Sequence, residues 1–254
     1  MIVEYHRPET LDEALKLLAR ETPRTRPLGG GTVLSAPNGA EFAVVDLQLL
    51  GLNKISSTSK LLRAGATATL QDLLQLDKIN PALAKSLELE ATRTLRQSSS
   101  VAGSLVAADG RSPFAIASLA LDAQLVLEPD KETRSYGEIL PLRAESLQAR
   151  LISEVQFPNQ VALSYQYVAR TPTDLPIVAV ALAVWPAGRT RLALGGFGPM
   201  PVLALDGKED SGLQEGLANA LHGASDQWAG EEYRQQAAKA LLTRAAAEIK
   251  EAVQ

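Results

Sequence analysis

The chain has 254 residues, of which 46% are hydrophobic and 21% are charged, and its formal net charge is −4. This composition supplies a buried core for one large domain or two to three small ones. The charges are interspersed and form no basic stripe for nucleic acid, no stretch approaches about eighteen apolar residues, and the first residues lack a signal-peptide core. We therefore expect a cytoplasmic protein with no membrane span and no nucleic-acid partner.

The residue types that are absent narrow the chemistry further. There is no cysteine, and the only histidines, His6 and His222, are far apart in sequence. The chain therefore cannot hold an iron–sulfur cluster through cysteine, and we predict no metal site. No G-x-S-x-G nucleophile motif is present either. If the chain takes part in a reaction, an organic cofactor supplies the chemistry, and we assign no catalytic side chain.

The first part of the chain reads as a βαββ unit. Thr10 and Glu13 have the spacing of a capping box, which predicts a helix from residue 11 to about residue 20. Short strands are predicted over 25–28 and 42–47. The polar cluster 56–59 then marks a boundary.

A glycine triplet follows the 25–28 strand, in the sequence Leu28-Gly29-Gly30-Gly31-Thr32-Val33-Leu34. Without Cβ atoms, this segment can adopt positive φ angles and approach a ligand closely. Its successive N–H groups, with the Thr32 hydroxyl, suit a phosphate. A tight turn that happens to be glycine-rich is the alternative, since short glycine motifs are weak evidence alone.

The middle of the chain mixes strands and helices. The predicted strands cover 61–66, 124–127 and 151–157, and the predicted helices start at Thr69, Pro81 and Pro113. A hairpin or excursion is expected over 128–145. The run Arg96–Leu105 is rich in small and hydroxylated residues and is interpreted as a second loop that faces a ligand.

The last third reads as an antiparallel meander followed by two helices. The predicted strands are 164–170, 177–184, 189–194 and 201–205, and the predicted helices are 212–221 and 230–252. The last helix is expected to dock through residues spaced four apart: Tyr233, Ala237, Leu241 and Ala245.

The order of the motifs resembles one family. Leu28–Leu34 (LGGGTVL) resembles the A-G-G-T-x-L loop of the flavin-binding subunits of molybdenum hydroxylases, the carbon monoxide dehydrogenase and xanthine dehydrogenase group. Arg96–Leu105 (RQSSSVAGSL) is similar to that family's R-N-x-G-T-I-G-G-N-L. Further matches follow in the same order, at Val44–Leu47, Leu62–Thr69, Ala120–Ala123, Ile152–Pro158, Arg170 with Asp174, and Glu232–Arg234.

The resemblance implies an α+β protein with a two-subdomain PCMH-type FAD-binding fold, residues 1–56 and 57–160, followed by a C-terminal antiparallel sheet with helices, residues 161–254. FAD would lie between the first two units, with its phosphates gripped by backbone N–H groups of both segments. Asp109 is the nearest carboxylate for the adenosine ribose, and Gln166 aligns beside the flavin ring. The implied cofactor-binding residues are Gly29, Gly30, Gly31, Thr32, Val33, Leu34, Ser100, Val101, Ala102, Gly103, Ser104, Asp109, Ile152 and Gln166.

The resemblance also implies a role and partners. In this family the flavin subunit passes electrons from [2Fe–2S] clusters to an external acceptor, together with a molybdopterin-binding large subunit and a [2Fe–2S] small subunit. The alternatives are a flavin-free structural or assembly module descended from the family, and a free-standing flavin oxidoreductase. A yellow purified protein favours the first interpretation, and a colourless protein that FAD cannot restore favours the flavin-free module.

Overall fold

The first unit is a three-stranded parallel sheet with one crossover helix. In the computed structural model, which describes residues 1–35, 39–208 and 211–253, the strands are β1 (Ile2–His6), β2 (Thr25–Leu28) and β3 (Phe42–Asp46), in the order β1-β3-β2. Helix α1 (Leu11–Leu18) begins after Thr10, whose hydroxyl accepts a hydrogen bond from the Glu13 amide at 3.3 Å. The central strand β3 is buried along its whole length.

The second unit is built on a five-stranded sheet in the order β4-β5-β8-β6-β7, with antiparallel pairing throughout. Its strands are β4 (Ile55–Ser57), β5 (Leu61–Gly65), β6 (Gln124–Glu128), β7 (Glu132–Ser135) and β8 (Leu151–Pro158). Its helices are α2 (Leu70–Leu74), α3 (Pro81–Glu90), α4 (Arg93–Arg96), α5 (Val101–Ala107), α6 (Pro113–Ala120), α7 (Tyr136–Ile139) and α8 (Arg143–Ser146). Helix α6 is apolar on all sides and is buried along its whole length, as such a helix must be.

The third unit is the predicted meander, with strand order β12-β11-β10-β9. The strands are β9 (Ala162–Val168), β10 (Val178–Val184), β11 (Arg189–Gly195) and β12 (Val202–Lys208), and the helices are α9 (Leu213–Ala220) and α10 (Glu231–Val253). Alternate residues of β10 serve two cores, since Ala179 and Ala181 pack with the second unit while Val178 and Val180 pack with α10. The α+β fold class is therefore confirmed.

Three expectations differ from the structure in detail. The boundary predicted between residues 56 and 57 falls inside β4, which pairs with β5 and therefore belongs to the second sheet. The division of the chain into 1–56, 57–160 and 161–254 stays a prediction. The predicted loop over Arg96–Leu105 is wrong for most of its length, because α5 begins at Val101 and the Ser100 hydroxyl caps it by accepting from the Gly103 amide.

The predicted docking face of the last helix is displaced by one residue at its start. Tyr233 is 50% exposed, whereas Arg234 is fully buried. The buried face of α10 consists of Arg234, Ala238, Leu241, Leu242, Ala245 and Ile249. No helix within the described residues has both the length and the apolar composition that crossing a membrane requires.

Candidate functional site

A cavity of about 1060 Å³ opens between the first and second units, and Leu175 of the third unit contributes to its lining. One wall comes from β2 and the glycine segment, and the other comes from α5 and the residues around α8 and the start of β8. The predicted site residues that line it are Gly29, Gly30, Gly31, Thr32, Val33, Leu34, Ser100, Ala102, Gly103, Ser104, Asp109 and Ile152. The two motifs that the sequence places far apart therefore meet at one cavity.

The glycine segment supplies a row of available hydrogen-bond donors. No group among the described residues accepts a hydrogen bond from the backbone amides of Gly29 through Leu34, although the segment is folded enough for the Ser35 amide to donate to the Gly31 carbonyl at 3.1 Å. Gly31 has a φ of +71°, which disfavours any residue with a Cβ. Neighbouring free amides of this kind form a concave site for an anion.

The glycine segment also packs against the second motif. A Cβ on Gly30 would lie 1.5 Å from the Ser98 carbonyl oxygen, so only glycine permits this approach of the two backbones. Beside it, the Ser99 hydroxyl donates to the Thr32 hydroxyl at 3.4 Å. The close contact between the two units thus forms the floor of the cavity.

The second motif offers fewer donors than the resemblance implies. The Val101 and Ala102 amides donate to the carbonyls of Ala68 and Ala66, at 2.8 and 3.3 Å, and the Gly103 amide donates to the Ser100 hydroxyl. The expectation that backbone N–H groups grip phosphates from both sides is therefore reduced to the Ser100 amide in this segment, since the amides of Val101, Ala102 and Gly103 are satisfied internally and, among the described residues, no group accepts from the Ser100 amide. What it presents at the cavity is small side chains and the hydroxyl of Ser104.

Two predicted contacts lie away from the cavity lining. Val101 is fully buried in the core of the second unit. Gln166 is a correction: it pairs with Val180 in the sheet register, on the face that packs against α10, and its amide nitrogen donates to Glu248 at 2.6 Å. The alternation of side chains along β9 turns residue 166 away from the second unit.

Asp109 lies at the cavity with one carboxylate oxygen engaged. Its Oδ1 accepts from the Arg111 amide at 2.8 Å, and the residue is exposed. Among the described residues, no group is recorded as donating to Oδ2, so this oxygen remains available to a ligand hydroxyl.

Sequence reasoning missed Glu90, the last residue of α3, which also lines the cavity. Its carboxyl accepts from the Phe114 amide at 2.9 Å and from the Ser112 hydroxyl at 2.8 Å. Burial raises the pKa of Glu90 to about 7, and the nearby charge of Asp109 raises this pKa further, while the two hydrogen bonds lower it. No local sequence pattern predicts that Glu90 is buried and hydrogen-bonded, because both partners lie at the start of α6, more than twenty residues further along the chain.

Sequence reasoning also missed Arg143, the first residue of α8. Its Nη1 donates to the carbonyl of Ala108, the C-cap of α5, at 2.6 Å. No carboxylate of the described residues pairs with it. It lies in a segment that the sequence marks only as an excursion.

The cleft lies between two units, and on one wall it has backbone amides that no group of the described residues accepts from, which is an arrangement suited to a phosphate-containing ligand. A family model, described as the FAD binding domain in molybdopterin dehydrogenase, matches residues 1–160. The chain belongs to this family, which confirms the resemblance and supports FAD as the cofactor. The match ends two residues after β8, so it spans both walls of the cavity.

Similar proteins extend over nearly the whole chain. The uncharacterized protein YgfM of Escherichia coli strain K12 is 28% identical over 232 residues, which cover 89% of this chain and 88% of YgfM. Carbon monoxide dehydrogenase from Hydrogenophaga pseudoflava, in a form that lacks the Mo-pyranopterin moiety of the molybdenum cofactor, is 20% identical with a TM-score of 0.75, covering 98% of this chain and 97% of that chain. Quinoline 2-oxidoreductase from Pseudomonas putida 86 is 22% identical with a TM-score of 0.75, and the match covers 99% of this chain and 98% of that chain. At these identities the two structures establish the fold.

Proposed function

We propose that this chain is the FAD-binding electron-transfer subunit of a cytoplasmic molybdenum hydroxylase complex. It works with a molybdopterin-binding large subunit and a [2Fe–2S] small subunit, and passes electrons from the partner's clusters to an external acceptor. The observation that carries the proposal is the row of backbone amides at Gly29–Leu34, from which no group of the described residues accepts a hydrogen bond, in a cleft of a chain that belongs to an FAD-binding family.

The residues present fit a flavin dinucleotide. The glycine amides suit its pyrophosphate, and the free Oδ2 of Asp109 suits a ribose hydroxyl. Val33 and Leu95 line the cavity and remain 58% and 48% exposed, so they offer apolar surface for a ring to cover. FAD, when bound, supplies the redox chemistry, while these residues bind it, orient it and keep water from it.

The proposal includes partner subunits. The chain has no cysteine, so clusters ligated by cysteine must be carried by another chain. The structures that share its fold are named as a carbon monoxide dehydrogenase and a quinoline 2-oxidoreductase, and the first name mentions a molybdenum cofactor. In the proposed complex, substrate oxidation takes place on the large subunit.

The test is the absorbance spectrum of the purified protein before and after incubation with FAD, together with the composition of the complex isolated from the native host. We expect flavin absorbance in the bound fraction and two co-purified chains, one of them rich in cysteine. A colourless protein that FAD cannot restore would refute the proposal.

The Val101, Ala102 and Gly103 amides of the second motif are bonded internally, which favours one alternative, the flavin-free structural or assembly module. It predicts that the same partner chains co-purify while the complex carries no flavin on this subunit. The flavin content of the isolated complex, measured after extraction of the cofactor, distinguishes the two functions.

A further inference from the structure

The cavity has an asymmetric supply of donors. Within the part of the chain that the structure describes, no group accepts from the amides of the glycine segment on one wall, whereas the first amides of α5 opposite are bonded to Ala66, Ala68 and Ser100. A dinucleotide held only by the first wall would leave much of its pyrophosphate charge uncompensated. A charged donor on the opposite wall would compensate part of that charge.

Arg143 has the properties of that donor. It lines the cavity, it is partly buried, and it forms no ion pair with any described carboxylate. A single guanidinium hydrogen bond, from Nη1 to the Ala108 carbonyl, fixes its position, so most of its N–H groups are unused. A guanidinium anchored in this way recognises phosphate oxygens well, because its planar fork is already oriented.

The other arginines of the cavity are already engaged or fully solvated. Arg20 pairs with Glu4 at 2.9 Å, Arg150 pairs with Glu132 at 2.5 Å, Arg26 stacks 4.8 Å from the centre of the Phe42 ring, and Arg24 is exposed. Arg26 is also partly buried and has no carboxylate partner among the described residues, but its guanidinium stacks on Phe42, whereas that of Arg143 contacts neither a described carboxylate nor a described ring.

Helix α5 sets the distance between the two walls. Its N-cap, Ser100, contacts the glycine segment, since a Cβ on Gly29 would lie 2.6 Å from the Ser100 hydroxyl oxygen, and its C-cap carbonyl holds Arg143. The rise of a helix of 7 residues is about 10 Å. The glycine segment and Arg143 therefore lie near opposite ends of α5 and line the same cavity.

We propose that Arg143 is the cationic contact for the pyrophosphate of the dinucleotide, which lies along α5 between the glycine amides and this guanidinium. This inference rests on the proposed flavin function and adds the residue that completes the anion site. Arg143 contributes charge and guanidinium N–H groups, in place of the Val101, Ala102 and Gly103 amides, which are bonded internally.

The test compares Arg143→Gln, Arg143→Lys and the matched control Arg150→Gln, whose arginine lies in the same wall but is neutralised by Glu132 and Asp130. Dissociation constants are measured for FAD, for ADP, which has the two phosphates without the flavin, and for riboflavin, which has the flavin without phosphate. Each titration is repeated at several salt concentrations, and thermal unfolding verifies the fold of each variant.

We expect Arg143→Gln to raise the dissociation constants of FAD and ADP by about tenfold or more and to leave that of riboflavin unchanged. The affinity of this variant for FAD and ADP should also depend less on salt concentration. Arg150→Gln should bind all three ligands as the wild type does. Arg143→Lys should retain part of the affinity for FAD and ADP. If Arg143→Gln does not fold, the comparison of Arg143→Lys with the wild type is used instead. Equal affinities in the Arg143→Gln and Arg150→Gln variants, or an equal loss for riboflavin and ADP, would overturn the inference and leave the flavin function standing. Failure of the wild type to bind FAD would overturn both.

Discussion

The α-carbon of Gly30 and the carbonyl of Ser98 are in direct contact across the two units: an added Cβ would lie 1.5 Å from the Ser98 oxygen. The partner in this contact is backbone, which cannot rotate away as a flexible side chain can. The first two units can therefore pack in this arrangement only if residue 30 is glycine.

Gly30→Ala is expected to separate the two walls of the cavity and to destroy the ligand site. An overpacked contact of this kind costs on the order of 2 to 3 kcal/mol in the free energy of unfolding, measured by urea denaturation. The control is Gly31→Ala. Its added Cβ would lie 3.4 Å from the nearest atom, the Ser35 hydroxyl oxygen, but residue 31 must keep a φ of +71°. That strain costs about 1 kcal/mol. Equal stability of Gly30→Ala and the wild type would show that the backbones do not approach as described.

Glu90 should give the protein an unusual pH dependence. Burial holds its folded pKa at about 7, above the ordinary 4.5, so between these values the folded state keeps a proton that the unfolded state has lost. The stability contributed by the protonated carboxyl is full below about pH 4.5 and is lost as the pH rises towards 7. The loss is on the order of 3 kcal/mol.

Glu90→Gln tests this directly, because the amide oxygen can still accept from Phe114 and the amide nitrogen can donate to Ser112. Relative to the wild type, the variant should gain stability as the pH rises from 5 to 8, measured by denaturant unfolding at each pH. A constant difference across that range would mean that Glu90 titrates near its ordinary pKa.

Gln166 is expected to leave the flavin unaffected. Because its amide donates to Glu248 on α10, Gln166→Lys should not change the two-electron potential of bound FAD in a spectroelectrochemical titration. Gln166→Leu should cost about 1 kcal/mol of stability through the lost hydrogen bonds to Ser164 and Glu248. A potential that rises in the lysine variant would place residue 166 beside the flavin ring after all.

Arg234 is expected to be the most sensitive position on α10. Its buried guanidinium donates to the Asp226 carboxylate at 2.8 Å and to four backbone carbonyls. These carbonyls belong to Ile177, Gly196, Ala224 and Ala229. Arg234→Ala removes every donor at once and should cost about 3 to 5 kcal/mol. Arg234→Lys should rescue little, since an ammonium group cannot reproduce the fork.

The matched control for Arg234 is Arg244→Ala, on the exposed side of the same helix. Its melting temperature should stay close to that of the wild type. Equal effects of the two substitutions would show that the carbonyl contacts of Arg234 do not stabilise the fold.

Local signals were enough to predict most helices and strands. Thr10, Thr69 and Asn80 each accept a hydrogen bond from an amide of the helix that follows, and a capping interaction of this kind lies within four residues of sequence. The glycine segment was also predictable as a place of close approach, because glycine triplets remove the Cβ atoms regardless of the fold.

The remaining features depend on contacts between distant parts of the chain. Whether Gln166 faces a ligand is decided by Glu248, 82 residues later, and the role of Arg143 is decided by Ala108, 35 residues earlier. The run Arg96–Leu105 has weak intrinsic preference for either state, so the cap on Ser100 and the burial of Val101 and Leu105 decide in favour of a helix. No pattern of spacing carries this information.

The position of β8 has a consequence for the order in which the protein is made. This strand pairs with β5 and β6, with Leu61 opposite Pro158, and its Leu151 packs into the hydrophobic cluster of the first unit. A chain emerging from the ribosome therefore exposes an unpaired edge of β5 until nearly 100 further residues have been translated, and such edges invite association with other chains. The meander that follows pairs each strand with its neighbour in sequence and can close as it appears. The cleft between the first two units is thus completed late in the synthesis of the first 160 residues, and no ligand can occupy it before that point.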